Sequence, residues 1–425
     1  MDGNSADAPK GRGVSREAQS AIYRAGISGA RPRIPVDAEL LERRARRAMS
    51  REAFAYIATG AGAERTVAAN RAAFRRWQIW PRPLIDVAQR DLGIELLGRR
   101  RETPFLLAPL GVMEMAHRDA DLAVARAAAA MGVPYVLSNQ ASVPMERVAE
   151  AAPGAPRMFQ LYWSASDELN ASLLARAEAA GCEAVVVTLD THLLGWRTRD
   201  LDLGYLPFTR ALGIAQYLGD PVFQRLVAER TAAPADPAAP SVRLTPKTIA
   251  AGMTIARKGG RSGRAAVETF LDVFSTPTLT WPDLAKAREW TRLPILLKGV
   301  LHPDDAARAL DAGVDGVWVS NHGGRQIDES VPALAALPGV VERVGGRVPV
   351  VFDSGIRGGA DAFIALALGA TAVAIGRPYA YGLAIAGEAG VREVIRNHLA
   401  ELDITLGLAG LAAVRDASRA NLREA

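Results

Sequence analysis

Short apolar runs alternate with amphipathic stretches over most of the chain. The runs are PFLLAP (104–109), VPYVLS (133–138), RMFQLYW (157–163), EAVVVTLD (183–190), PILLKG (294–299), DGVWVSN (315–321), VPVVFDSG (348–355) and TAVAIG (371–376). Between them lie helical patterns such as DADLAVARAAAAMG, SDELNASLLARAEAAG, HPDDAARALDAG and GADAFIALALGA. A run that is apolar at every position predicts a strand buried on both faces. Strands of that kind separated by helices pair in parallel. Eight such units are the count of a (β/α)8 TIM barrel, whereas a doubly wound sheet usually has fewer strands and offers no reason for eight.

The pattern ahead of the barrel predicts an N-terminal helical segment. DAELLERRARRAMS follows Asp37, a suitable N-cap, REAFAYIATGAG ends at glycine, and ERTVAANRAAFRRW runs on until Pro81 and Pro83 stop helix formation. Residues 1–30 are polar and rich in Gly, Ser and Ala, which predicts a mobile tail and leaves 31–425 as one domain. One connection breaks the rhythm. About a hundred residues part Arg197 from Lys298, and they include the Pro- and Ala-rich TAAPADPAAPSVRLTPKT. A connection this long predicts a lid insertion, over about 200–280. DPVFQRLVAER and AVETFLDVF within it read as helices, with few apolar residues for a separate core.

Composition narrows the possibilities. The 425 residues contain 51 Lys plus Arg, of which only 5 are Lys and 46 Arg, and the formal net charge is +5. The arginines are scattered and not gathered into a tail, so no nucleic-acid partner is expected. The single cysteine, Cys182, excludes an intrachain disulfide and a Cys-based zinc site, and no metal is expected. MDGNSADAPKGRGVSRE lacks the apolar stretch of a secretory signal. No window is long and apolar enough for a membrane span, and a cytoplasmic location is the expectation.

In a barrel of this kind chemistry collects where strands end. The first run ends in Pro109-Leu110-Gly111 and the second at Ser138; the third carries Gln160 and Tyr162. The fourth ends Thr188-Leu189-Asp190 with Arg197 beyond, the fifth at Lys298, and the sixth at Ser320-Asn321-His322-Gly323-Gly324-Arg325. The last two end in Asp353-Ser354-Gly355-Ile356-Arg357 and Gly376-Arg377. Glycine turns with a forked guanidinium each, after the seventh and eighth strands, suit a phosphate, although tight turns with solvated arginines have the same letters. Lys298 closes a buried strand in a chain that seldom uses Lys. It suits a Schiff base, a cation beside an electron-rich ring, or a lysine snorkelling from the rim. Of the five histidines, His322 alone sits between a strand end and a glycine pair, with Arg325 close by as a carboxylate anchor. Asp190 is the candidate partner of that imidazole, and Arg197 a second anchor. Taken alone, a turn histidine and a solvated loop arginine remain open.

The run SNHGGRQID (320–328) resembles the active-site signature of the FMN-dependent α-hydroxy-acid oxidases and dehydrogenases. FQLYW, VVTLDT, LLKGV, DSGIRGGADAFIALALGA and IGRPYAYGLA resemble the same family in the same order, and AYIATGAGAERTVAANRAAF resembles its N-terminal segment. The resemblance implies FMN across the barrel mouth. Arg357, Gly376, Arg377 and the backbone around Asp353, Ser354 and Gly355 would hold its phosphate. Lys298 would lie beside the flavin N1/O2 edge. Ser138, Gln160, Thr188 and Ser320 would bind the ring system or its side chain, and Pro109, Leu110 and Gly111 would face N5. Arg197 and Arg325 would take the substrate carboxylate, Tyr56 and Tyr162 would hydrogen-bond the substrate, and His322, oriented by Asp190, would be the base. A small 2-hydroxy acid and O2 as partners, no membrane, and a homo-oligomer of four or more subunits follow from the same resemblance. Within the family, VTLDTHLLGWRTRDLDLGYLPF and GDPVF look most like members acting as lactate 2-monooxygenase. Those members retain the 2-oxo acid until oxygen has reacted, giving acetate, CO2 and water. Gly111 fits this, leaving room for product and peroxide together. Gln140, where several relatives carry an aromatic, and the long fourth loop depart from the pattern. Release of H2O2, or another electron acceptor, is the alternative outcome; a Schiff-base aldolase built on Lys298 and a basic binding protein without catalysis are the remoter ones.

Overall fold

A computed structural model describes residues 13–233 and 244–425 of the chain. Its centre is a closed barrel of eight parallel strands in chain order: β1 Phe105–Leu107, β2 Tyr135–Ser138, β3 Arg157–Tyr162, β4 Val185–Thr188, β5 Ile295–Lys298, β6 Gly316–Val319, β7 Val350–Phe352 and β8 Ala372–Ile375. Every one of the eight apolar runs holds one strand. All residues of these strands are buried, which explains why the runs do not alternate. Pairing sets the levels at the mouth. Ser138 lies opposite Gln160, Tyr162 opposite Thr188, and Thr188 opposite Lys298. Polar groups from β2 to β5 thus end up side by side although the sequence scatters them.

Helices ring the barrel. Their starts are chemically marked: Ser166 caps Asp167–Ala179 and accepts from Leu169 N–H, and His302 caps Pro303–Asp311. The long helix Arg377–Leu408 is interrupted at Ala386 and Gly387, where the backbone leaves helical geometry.

The N-terminal segment covers one side. Residues 1–12 of the expected mobile tail lie outside the described residues. The remainder of that tail is not loose: α1, Gly13–Ile27, is a helix. Ser15 N–H and Oγ–H both donate to Asp403 at 3.0 and 2.6 Å, and Arg90 Nε–H donates to the same carboxylate at 2.6 Å. A buried carboxylate with three such donors is an anchor that composition alone does not reveal. Asp37 caps α2, Ala38–Ala48, as expected, and Ser50 caps α3, Arg51–Ala58. The helix α4, Arg65–Phe74, ends earlier than the prolines require. A short strand, Trp77–Ile79, precedes them and pairs with Leu422–Glu424 at the other end of the chain.

The insertion after β4 is helical. Its main helices are Pro221–Ala232, Pro246–Gly259 and Gly263–Val273, and part of TAAPADPAAPSVRLTPKT lies outside the described residues. It holds more core than its composition predicts. Phe208, Tyr217, Phe223 and Phe270 are fully buried, and Tyr217 and Phe270 meet edge to face with ring centroids 4.9 Å apart. Four large aromatics substitute for the many aliphatics the segment lacks, because each buries as much surface as two small side chains.

Candidate active site

The cavity at the C-terminal mouth of the barrel gathers residues from nearly every strand end. Tyr56, Pro109, Leu110, Gly111, Tyr162, Arg197, Lys298, His322, Arg325, Asp353, Ser354, Gly355, Arg357, Gly376 and Arg377 all line it. Ser138, Gln160, Thr188 and Ser320 do not; they are buried at or near the ends of β2, β3, β4 and β6.

His322 stands in a strained turn. Its φ is +57°, a conformation that costs a non-glycine residue about 1–2 kcal/mol, and Gly323 and Gly324 follow at +65° and +77°. Neighbouring side chains hold the turn. Ser320 Oγ accepts from His322 N–H, Ser354 Oγ accepts from Gly323 N–H, and Asn321 Oδ1 accepts from Gly324 N–H, all at 3.0–3.1 Å. A Cβ on Gly324 would lie 2.7 Å from the Val67 nitrogen on α4, so only glycine fits there. Asn70 of α4 and Asn321 exchange two amide hydrogen bonds of 2.8 Å. The N-terminal segment is therefore part of the scaffold that presents His322.

His322 Nδ1 lies 2.7 Å from Asp190 Oδ1, and Thr191 Oγ–H donates to the same oxygen at 2.9 Å. Burial works against the Asp190 carboxylate. Attraction to His322 and Lys298, with the hydrogen bonds from His322 and Thr191, outweighs burial and holds its pKa at about 2. Burial pushes the His322 imidazole below its ordinary value, and Asp190 only partly restores it. Beside an ionised Asp190, the Nδ1 carries the proton. Nε2 is then the free acceptor, which is the form a general base requires.

Two arginines flank this dyad. Arg197 is buried; its Nη2–H donates to Gln326 Oε1 at 2.9 Å and its Nε–H to the Arg325 carbonyl at 3.3 Å. Arg325 lies over the Tyr56 ring, 5.1 Å from its centroid, and donates to the Tyr56 carbonyl at 2.5 Å. Burial, then repulsion from Arg197 and Arg377, pushes Arg325 down to about 9. Burial and Arg377 push Arg357 down to about 10, and burial lowers Arg377 as well. No carboxylate of the chain pairs with Arg325, Arg357 or Arg377 among the described residues; Arg377 donates only to the carbonyls of Ile57, Gly323 and Thr59. Half-buried guanidiniums that crowd one another without a paired carboxylate make a site for anions.

Lys298 is buried, with 4% of its surface exposed, so it does not snorkel. Its Nζ donates to Ser320 Oγ at 3.0 Å and lies 3.5 Å from Asp353 Oδ2. Asp353 also accepts from Ser320 Oγ, Ser354 Oγ and Trp318 Nε1 at 2.6, 2.7 and 3.1 Å. The Asp353 side chain is thus committed to Lys298 and the β6 end. Only the backbone of this stretch remains for a phosphate.

Eight buried polar atoms lack partners among the described residues, and four of them lie at or near the ends of β2 to β4: Asn139 Oδ1, Gln160 Nε2, Thr188 Oγ1 and Asp190 Oδ2. Ser138 Oγ–H meanwhile donates to Gln160 Oε1 at 3.1 Å, fixing the orientation of that amide. An unpaired buried donor is costly, so a bound group is expected to supply acceptors at this level. A flavin ring system, with its nitrogens and carbonyls, meets that chemistry, and Arg357 and Arg377, which have no carboxylate partner among the described residues, meet a phosphate. The residues present fit FMN.

Several contributors were not visible beforehand. Gln326 joins two loops, accepting from Arg197 and donating its Nε2–H to the Asp190 and Leu193 carbonyls at 2.7 and 2.9 Å. It lies inside the SNHGGRQID run, so position was the only signal. Thr191, Met113, Leu194, Phe208 and Phe274 also line the cavity, the last two delivered by the insertion. Gly111 has a second reason to be small: a Cβ there would lie 3.0 Å from both Cβ and the carbonyl oxygen of Gln140.

A (β/α)8 barrel with an imidazole–carboxylate dyad between paired guanidiniums, and anion sites after β7 and β8, defines a flavin-type barrel oxidoreductase. Residues 45–424 match the profile of the FMN-dependent dehydrogenases, and the chain belongs to that family. An L-lactate oxidase of Lysinibacillus sphaericus is 42% identical, over 85% of this chain and 86% of the relative. An FMN-dependent alpha-hydroxy acid dehydrogenase of Penicillium citrinum is 39% identical over 95% of each chain. Among solved structures, mandelate oxidase with (S)-4-hydroxymandelic acid superposes with a TM-score of 0.76 at 36% identity, covering 92% of this chain and 98% of that one. The protein is an FMN-dependent α-hydroxy-acid oxidoreductase.

Proposed function

We propose that the enzyme oxidises a small L-2-hydroxy acid to its 2-oxo acid and keeps the product enclosed until oxygen has reacted, as a lactate 2-monooxygenase does. The observation that carries the oxidation is the 2.7 Å contact of Asp190 with His322, whose imidazole lines the same cavity as Arg197 and Arg325. FMN, when bound, supplies the two-electron acceptor and its reoxidation by oxygen. The chain supplies the rest. Arg197 and Arg325 bind the carboxylate, with Tyr56 and Tyr162 as further hydrogen-bonding groups. His322 Nε2 takes up one proton from the substrate, and the resulting imidazolium is stabilised by ionised Asp190. Lys298 would hold its charge next to the ring system, with Ser138, Gln160, Thr188 and Ser320 as polar contacts. Pro109, Leu110 and Gly111 would form one wall. Arg357, Arg377 and Gly376, with backbone of Asp353, Ser354 and Gly355, would take the phosphate.

Enclosure is supported by the insertion, which adds Phe208 and Phe274 to the cavity wall, and by the small Gly111. The test is a product analysis with purified holoenzyme, L-lactate and oxygen. Acetate, CO2 and water in place of pyruvate and H2O2 are expected. Stoichiometric pyruvate and H2O2 would refute the monooxygenase reading and leave an oxidase. Flavin that no L-2-hydroxy acid bleaches under anaerobic conditions would refute the oxidation itself.

A further inference from the structure

Glu114 belongs to none of the groups above. It lies in the turn Met113–Met115 after β1, next to the cavity residue Met113. Its two carboxylate oxygens reach two separate limbs of the insertion. Oε1 accepts from Gly213 N–H at 3.1 Å, while Oε2 pairs with Lys258 of the helix Pro246–Gly259. Both side chains of that pair are about four-fifths buried, at 22% and 21% exposure, so solvent screens it less than an ordinary surface pair. Glu114 is itself anchored, its N–H donating to Ser142 Oγ at 3.0 Å.

The first limb is seated closely. Gly213 has φ +70°, and a Cβ there would lie 2.6 Å from Val112 Cγ2 and 3.0 Å from the Gln140 carbonyl oxygen. The limb therefore rests directly on the loops after β1 and β2. Each limb leads to a phenylalanine of the cavity wall. Gly213 is five residues from Phe208. Lys258 lies on the helix that packs against Gly263–Val273, where a Cβ on Gly263 would sit 2.6 Å from the Ile255 carbonyl oxygen. That second helix carries Phe270 and runs into Phe274, with Phe270 and Phe274 stacked at 5.2 Å. Lys258 is also one of only five lysines in the chain.

We propose that Glu114 is a positioning residue, a two-ended clamp that holds the insertion over the cavity and sets how slowly the 2-oxo acid leaves. This rests on the reading of the cavity as a hydroxy-acid site. The experiment uses FMN-loaded enzyme as wild type, Glu114→Ala, Lys258→Met, and the exchanged pair Glu114→Lys with Lys258→Glu. Two quantities are read: amide hydrogen exchange across 207–213 and 246–259, and the dissociation rate of bound pyruvate by stopped flow. In Glu114→Ala both should rise by about tenfold, the scale of losing one hydrogen bond and one shielded ion pair. Lys258→Met should raise exchange mainly in 246–259. The exchanged pair should release pyruvate more slowly than Glu114→Ala, a rescue that general loosening of the fold would not produce. Unchanged exchange in Glu114→Ala overturns the clamp. Raised exchange with unchanged pyruvate release overturns its control of the product. Failure of the oxidation itself reads differently: no acid bleaches the wild-type flavin, while the exchange comparison still decides whether the clamp exists.

Discussion

At the scale of single residues, the site depends on burial deciding what each charge does. Asp190 stays ionised because His322 and Lys298 outweigh its desolvation, and it orients the imidazole through Nδ1. Asp190→Asn should slow anaerobic flavin reduction by about 10²–10⁴-fold while leaving the flavin bound. The pH dependence follows from sign. A base works when unprotonated, and burial lowers the His322 pKa. The log of kcat/KM should therefore fall with acid only below the usual imidazole range. In Asp190→Asn that limb should move further toward acid, since the attraction that favours the charged ring is gone. A wild-type limb above neutrality would contradict the assignment. Lys298 makes a different point. Its ammonium fits between Ser320 Oγ and Asp353, so Lys298→Arg should impair flavin binding or reduction despite conserving charge, as seen by flavin titration and stopped flow. His322, Arg325 and Lys298 were legible from the sequence because strand-end position and local motif marked them. Gln326 and Thr191 were not, because their roles exist only once loops 4 and 6 meet.

At the scale of elements, strands and helices followed from periodicity, while the insertion did not. Strands buried on both faces announce themselves as unbroken apolar runs, and caps such as Asp37 and His302 mark helix starts. The insertion looked poor in core because its apolar residues are few and widely spaced. Phe208, Tyr217, Phe223 and Phe270 meet only after the helices fold back on one another. Phe274, partly buried, is one of the element's two phenylalanines on the cavity wall, where a substrate side chain would meet it. Phe274→Ala should raise kcat/KM for mandelate relative to lactate by about tenfold, at a stability cost of about 2 kcal/mol. Steady-state kinetics with both acids and thermal unfolding would check the two parts. An unchanged preference would remove the insertion from substrate selection.

At the scale of the whole molecule, the arginine excess divides in two. Many arginines are surface groups, some in exposed ion pairs such as Arg65 with Glu329, which contribute little. Arg325, Arg357 and Arg377 are instead brought together, partly buried, around one cavity. Their crowding predicts that a bound anion stabilises the fold. Stripping FMN should lower the melting temperature, and FMN at about a hundred times its Kd should restore about 2.7 kcal/mol by mass action. Phosphate should restore part of that loss at equal ionic strength and chloride almost none; equal effects of the two salts would mean plain screening. The sequence by itself determined the eight strands, the helices between them and the polar residues at their ends, since those depend on local period and on which positions must avoid water. Only the tertiary structure decided that α1 docks on Asp403, that Asp353 serves Lys298, and that Glu114 joins two limbs of the insertion. Each of these joins residues far apart in the chain, and no local pattern encodes the distance between them.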